Sequence, residues 1–267
     1  MLNHEGRIGG LCRYFVVFAL ILLTASPLVC GCTTHTAIAG GRIDGVNKGI
    51  NRFALELYGR LVSAALEENL FFSPYSVSTV FAMTYGGARG NTAAQIARTF
   101  CFPASGDDFH RTFSRLNETI TTSGKSSPLR FYVANSLWPQ EGYPLLKEYL
   151  ELTEKYYRAK PTLLDYRGDP EEARRTINDW VAEKTEQKIK DLLKPGSLDG
   201  LTRLVLANAV YFKGEWEGRF DKERTADGPF FPLSGPAVQV PFMTQHRNLG
   251  YGEEDGFRIV ELPYSGK

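Results

Sequence analysis

Four histidines, His4, His35, His110 and His246, and four cysteines, Cys12, Cys30, Cys32 and Cys101, are the side chains best able to hold a metal or begin a nucleophilic reaction. Their spacing suits neither task. No two histidines stand at metal-ligand spacing, none is paired with a cysteine, and G-x-S-x-G, S-x-x-K, H-E-x-x-H, a Walker loop and G-x-G-x-x-G are all missing from the chain. An enzyme is not expected, and neither is a metal or a cofactor. The polar residues that stand out are asparagines inside apolar runs: Asn208 in LVLANAVYF and Asn135 in VANSL. A buried amide without partners costs on the order of 1–3 kcal/mol, so each should be hydrogen-bonded, and a satisfied core asparagine is the simplest role for either on these grounds.

The elements around them carry strong start signals. In Leu70-Phe71-Phe72-Ser73-Pro74 the sequence predicts a short buried strand, a serine placed to cap a helix, and a proline in the first turn, where no amide donor is lost. That helix has Val77, Val80, Phe81 and Thr84/Tyr85 inward and stops at Gly86-Gly87; Thr92 and Gln95 then predict a capping box for a second helix through Ile96 and Phe100. Upstream, Ile50, Phe53, Ala54, Leu57, Tyr58, Leu61, Val62 and Ala65 form a helical stripe. Downstream, helices are predicted over Asp107–Thr119 and Tyr143–Tyr157, and Asp169-Pro170 opens another through Ile177, Trp180, Val181 and Ile189. Ser123–Pro128 reads as a polar loop.

Arg130–Trp138 reads as a strand, Lys160–Tyr166 as a short one, and Leu204–Phe212, almost continuously apolar, as a strand covered on both faces. Shorter strands follow at Gly228–Phe231, Val238–Met243, Asn248–Glu253 and Phe257–Leu262. Helices early and strands late, without a βαβ rhythm, predict an α+β fold with a large mixed sheet. The 267 residues are 43% hydrophobic, ample for a core, and a net charge of +1 without a basic stripe gives no nucleic-acid footprint.

The N-terminus reads as an export leader. His4, Arg7 and Arg13 precede the apolar run Tyr14–Leu23, short for a membrane-spanning helix and right for a signal-peptide core. Val29-Cys30-Gly31-Cys32 resembles a bacterial lipobox, which predicts lipidation at Cys32; plain secretory cleavage and an uncleaved anchor are the alternatives. On this reading residues 1–31 are a signal peptide outside the fold and 32–47 a small-residue tether. The product is a cell-surface lipoprotein, held to the membrane by its lipid anchor, or a secreted protein. Removing 1–31 takes away Arg7, Arg13 and Glu5 and leaves the chain formally neutral. Cys101, between two phenylalanines, reads as an apolar filler. The sequon Asn117-Glu118-Thr119 reads as chance.

FFSPYSV followed by GNTAAQI, at this spacing, resembles the serpin family. The resemblance runs from Lys48 to Lys267 through LVLANAVYFKGEW, VPFMTQ and VELPYSGK. It implies a serpin fold and an inhibitor of serine or cysteine proteases, which cleave a reactive loop that then inserts into the main sheet as a new strand. It also implies roles. Ser73, Ser76 and Asn208 match the shutter, a polar cluster where the sheet parts, and Trp216 matches the breach, where the inserting strand first enters. Their plainer readings are a helix cap for Ser73 and an aromatic packed at a sheet corner for Trp216. Family members continue past the segment matching VELPYSGK into the reactive loop and last core strands, so residues 48–267 are expected to be a partial serpin domain without a reactive loop, inactive alone and prone to oligomerise. A non-inhibitory serpin acting as a binding or chaperone module is the second reading; an unrelated exported lipoprotein enzyme is the third.

Overall fold

The computed structural model of the chain describes residues 13–22, 43–64, 69–103, 106–122 and 129–265. Cys32, most of the expected tether and the loop Ser123–Pro128 lie outside these residues. The tether ends earlier than its expected limit, because α1 (Ile43–Ala64) is already helical at residue 43 and buries Val46.

α1 is followed by α2 (Pro74–Gly87), α3 (Gly90–Thr99) and α4 (Asp107–Thr122). Ser73 caps α2 as its position predicts: its Oγ accepts the Ser76 N–H at 3.1 Å, with Pro74 in the first turn. The chain before it makes no strand, and Phe71 is exposed. The expected capping box on α3 is not made either. Only Ala88 and Arg89 separate the two helices, so α3 starts at Gly90, two residues before Thr92, and the Arg89 carbonyl accepts the Ala93 N–H.

β2 (Arg130–Pro139) precedes α5 (Lys147–Tyr157) and α6 (Pro170–Lys184), the latter capped by Asp169, whose side chain accepts the Glu172 N–H. Lys160–Tyr166 gives two isolated parallel bridges in place of the expected strand, Pro161 to Leu137 of β2 and Leu164 to Gln140 just past its end. β3 (Leu204–Gly214) pairs antiparallel with β2 along its length, placing Asn135 opposite Asn208. β4 (Ala226–Phe230) with β5 (Val238–Phe242), and β6 (Tyr251–Glu254) with β7 (Phe257–Val260), form two separate hairpins whose residues are mostly exposed.

The leader region gives a difference from expectation. Arg13–Leu22 is a strand, β1, antiparallel to β3 on the edge away from β2, so the central sheet has the order β1-β3-β2. Ten residues rich in aromatic and β-branched types suit a strand. β3 is written for two neighbours, and this segment supplies the second.

β3 divides the interior. Leu204 and Leu206 face a large core formed by α1–α5, with Phe53, Met83, Phe102, Phe113 and Tyr157. Val205, on the opposite face, joins a smaller core under α6 with Trp138, Tyr166, Ile177, Val181 and Leu193. In the large core α2 and α5 approach closely at Gly86 and Gly87. A Cβ on Gly86 would stand 2.8 Å from a Leu152 methyl, and one on Gly87 would stand 3.1 Å from the Tyr149 ring, so both positions favour glycine by contact. No helix among the described residues is long and apolar enough to cross a membrane.

Candidate functional site

Asn208 sits at the middle of β3 with its side chain wholly buried, on the face shared with Leu204 and Leu206, toward α2. Its Nδ2 donates to Asn135 Oδ1 at 2.7 Å, and Asn135 Nδ2 donates to the Tyr157 carbonyl at 2.9 Å. The two asparagines thus form a cross-strand relay that joins β3 to the end of α5. Both are hydrogen-bonded, as burial demands of Asn208; Asn135 is half-buried. Asn208 Oδ1 is buried without a partner among the described residues, as are Ser76 Oγ, Ser78 Oγ, Gln140 Oε1 and the hydroxyls of Tyr75 and Tyr156.

Ser73 and Ser76 meet each other across the first turn of α2. Asn208 bonds across the sheet to Asn135, whereas α2 packs against β3. The structure therefore brings the serine-bearing helix to the asparagine-bearing strand. Their side chains do not bond one another: Ser73 Oγ accepts the Ser76 N–H, Asn208 donates to Asn135, and Ser76 Oγ has no partner among the described residues.

Trp216 lies just beyond β3 and stacks on Tyr264, with ring centroids 4.4 Å apart and planes 12° apart. Backbone bonds lock the pair on both sides, Glu217 N–H to the Pro263 carbonyl at 2.9 Å and Ser265 N–H to the Glu215 carbonyl at 2.7 Å. The Tyr264 ring also meets Phe212 edge-on at 4.9 Å. A corner aromatic was legible in the sequence; its partner was not, since Tyr264 has no periodic pattern around it.

Two further arrangements escaped the sequence reading. His110 on α4 is buried, and burial lowers its pKa from 6.5 to about 4 even though Asp107 pulls the other way. Burial also holds the Tyr157 hydroxyl protonated, so it can donate to His110 Nδ1 at 2.7 Å. Asn178, buried on α6, bonds both backbone groups of Leu193. A polar residue next to inward-facing Ile177 was the available signal for Asn178. Among the described residues no three His, Cys, Asp or Glu side chains gather as a metal site would require. What the geometry provides is a sheet whose central strand takes neighbours on both edges, with a polar relay at its middle and a locked aromatic stack at one end.

Comparison with known proteins agrees with this architecture. Residues 48–267 match the family described as Serpin (serine protease inhibitor). A serpin-like protein of Methanosarcina acetivorans is 37% identical over 257 residues, which cover 92% of this chain and 60% of that protein. Human leukocyte elastase inhibitor is 41% identical over 218 residues, 81% of this chain and 57% of the inhibitor. Among solved structures, emu ovalbumin superposes with a TM-score of 0.75 at 28% identity, covering 82% of this chain and 60% of its own. An Arabidopsis serpin in its native stressed conformation gives 0.75 and a cleaved serpin 0.76, at 28% and 30% identity; these matches cover 85% and 83% of this chain, and 58% and 59% of those structures. The chain spans about three fifths of the length of these proteins. With a match over residues 48–267 laid on the capped α2 and the asparagine-bearing β3, this chain belongs to the serpin family.

Proposed function

We propose that residues 48–267 form the strand-accepting body of a serpin-type inhibitor of serine or cysteine proteases, in which a loop cleaved by the protease inserts beside β3. The observation that carries the reading is the second edge of β3. There the chain's own Arg13–Leu22 lies in antiparallel register over ten residues. An edge with the geometry to take one extended apolar segment can take another, because the backbone groups provide most of the pairing.

Within this reading Ser73, Ser76 and Asn208 act as the shutter, and the unpartnered oxygens of Ser76 and Asn208 are groups that rearrange as the sheet parts. Trp216, stacked on Tyr264, is the breach. The leader is removed on export and Cys32 is lipidated, which vacates the edge that β1 holds. These residues are assigned the sheet and its gates, and the cleaved loop is assigned to none of them.

The test is uptake of a fluorescent extended peptide, followed by thermal stability. A chain beginning at Cys32 is expected to bind the peptide persistently and to melt at a higher temperature afterwards, whereas the full chain takes it up slowly because β1 must first leave. A processed chain that takes up no peptide would overturn the reading. Leukocyte elastase is the first protease to try, from the inhibitor named above. No SDS-resistant complex is expected with residues 48–267 alone, and formation of one would overturn the assignment of the cleaved loop elsewhere.

A further inference from the structure

A cleft of about 860 Å³ runs beside α5, and none of Ser73, Ser76, Asn208 or Trp216 lines it. Its size is that of a small-molecule site. The end of α2 lies along the first two turns of α5, since a Cβ on Gly87 would meet the Tyr149 ring and one on Gly86 a Leu152 methyl. His110 of α4 follows, 3.4 Å from the Cβ position of Gly86 and stacked on Tyr156 with ring centroids 6.1 Å apart. The cleft therefore extends from the start of α3, at Arg89 and Thr92, to the last turn of α5, at Lys155 and Tyr156, and the start of α4 at Asp107. Leu145, Leu152 and Leu204 give it an apolar middle. At the helical rise of about 1.5 Å per residue, Leu146 to Tyr156 is about 15 Å.

Three helices begin at this cleft, and their charges differ. α4 has Asp107 and Asp108 in its first turn and α5 has Glu148, each offsetting the partial positive charge of its own N-terminus. α3 has no acid in its first turn and no side-chain cap, so its first amides are left without a partner inside the helix. Beside them Arg89 Nη1 donates to the Gly86 and Ala88 carbonyls at 3.0 and 2.8 Å, while Nε and Nη2 have no partner among the described residues. The Thr92 hydroxyl, left over by the unmade capping box, has none among them either. That end of the cleft favours an anion. At the opposite end Lys155 and Asp107 leave no net formal charge, and Lys155 Nζ lies 4.8 Å from the centre of the Tyr156 ring. Tyr156 itself is 6% exposed, and its hydroxyl is buried without a partner among the described residues. A buried donor of that kind favours an uncharged acceptor.

We propose that this cleft binds a medium-chain carboxylic acid that carries a hydroxyl at its far end. The carboxylate rests on Arg89, Thr92 and the first amides of α3, the chain lies along Leu145, Leu152 and Leu204, and the far oxygen accepts from the Tyr156 hydroxyl. Binding is non-covalent, and it does not depend on the strand-accepting reading of β3.

Calorimetric titration of the full chain with four ten-carbon probes tests it: ω-hydroxydecanoate, decanoate, decanol and decylamine. The hydroxy acid should bind with a Kd below about 1 mM, decanoate about three- to tenfold more weakly, and the alcohol and the amine more weakly still. Arg89→Gln and Thr92→Val should each weaken decanoate by about five- to tenfold and leave decanol unchanged. Loss of the Arg89 bonds to the end of α2 would instead weaken acid and alcohol alike; in that event exposed Thr92 decides, and unchanged decanoate binding by Thr92→Val overturns the carboxylate seat. Tyr156→Phe should bring the hydroxy acid down to the level of decanoate without altering decanoate itself. A preference for the hydroxy acid that survives in Tyr156→Phe overturns the assigned orientation. Binding of neither acid by the wild type, or decylamine binding as well as decanoate, overturns the proposal as a whole.

Discussion

Beneath α6, Asn178 is paired with Leu193, Trp138 Nε1 donates to Ser136 Oγ at 2.6 Å, and the Tyr166 hydroxyl donates to the Trp138 carbonyl at 2.9 Å. Around α2 and the middle of β3, Tyr75, Ser76, Ser78, Tyr156 and Asn208 each keep a buried oxygen without a partner among the described residues, and elsewhere Gln140 Oε1, just past β2, does so too. The two interiors flank the same sheet, so burial alone does not set the difference. A paired interior specifies one arrangement, whereas an unpaired one is under less constraint to keep the arrangement it has.

The sharpest way to break the comparison is to damage the large core where it is purely apolar. Phe113 is 1% exposed and packs against Phe109, Phe102, Tyr75 and Tyr157. Phe113→Ala should cost about 3–5 kcal/mol, read by denaturant melting, with the α6 core unfolding in the same transition if the sheet couples the two. A separate, later transition for α6 would show that the interiors are energetically independent.

Acid provides a milder probe of the same side. His110 has its pKa lowered from 6.5 to about 4, so the folded chain resists a proton that the unfolded chain accepts. Its contribution is fully present above pH 6.5, is lost progressively as pH falls toward about 4, and changes no further below that. Melting temperatures measured across this window should show the decline, and His110→Gln should flatten that part of the profile.

Polar deletions then compare the pairing directly. Asn208→Ala removes the donor to Asn135 Oδ1 and should cost about 1–3 kcal/mol, with a larger oligomer fraction after mild heating. The smallest effect is expected for Ser76→Ala. The Oγ it deletes has no partner, so the change in stability should be within about 0.5 kcal/mol and could favour the folded state. A loss at Ser76 as large as that at Asn208 would mean that its hydroxyl is bonded in solution.

Local chemistry governed how much of this could be read in advance. Ser73-Pro74 and Asp169-Pro170 announce α2 and α6 because a cap and a first-turn proline need only neighbours in sequence. β3 announces itself because an apolar run that long must be covered on both faces. Non-local partners were hidden. The Asn135 that bonds Asn208 is 73 residues away, and the Leu193 that holds Asn178 lies in a segment without periodicity. Thr92 and Gln95 misled for a related reason: the short connection from α2 starts α3 before their box can act. β1 was hidden because one apolar run suits export and pairing equally.

The Trp216–Tyr264 stack has an evolutionary consequence. Its flanking bonds bring together residues up to 50 positions apart, and both exposed hairpins hang within the loop so closed. Closing a loop costs chain entropy that grows only logarithmically with length, about 0.6 kcal/mol for a doubling. Extra residues at the hairpin tips would therefore hardly trouble the sheet. Residues 226–260 are where variants of this chain can gain insertions and new surface at little risk to the rest of the molecule.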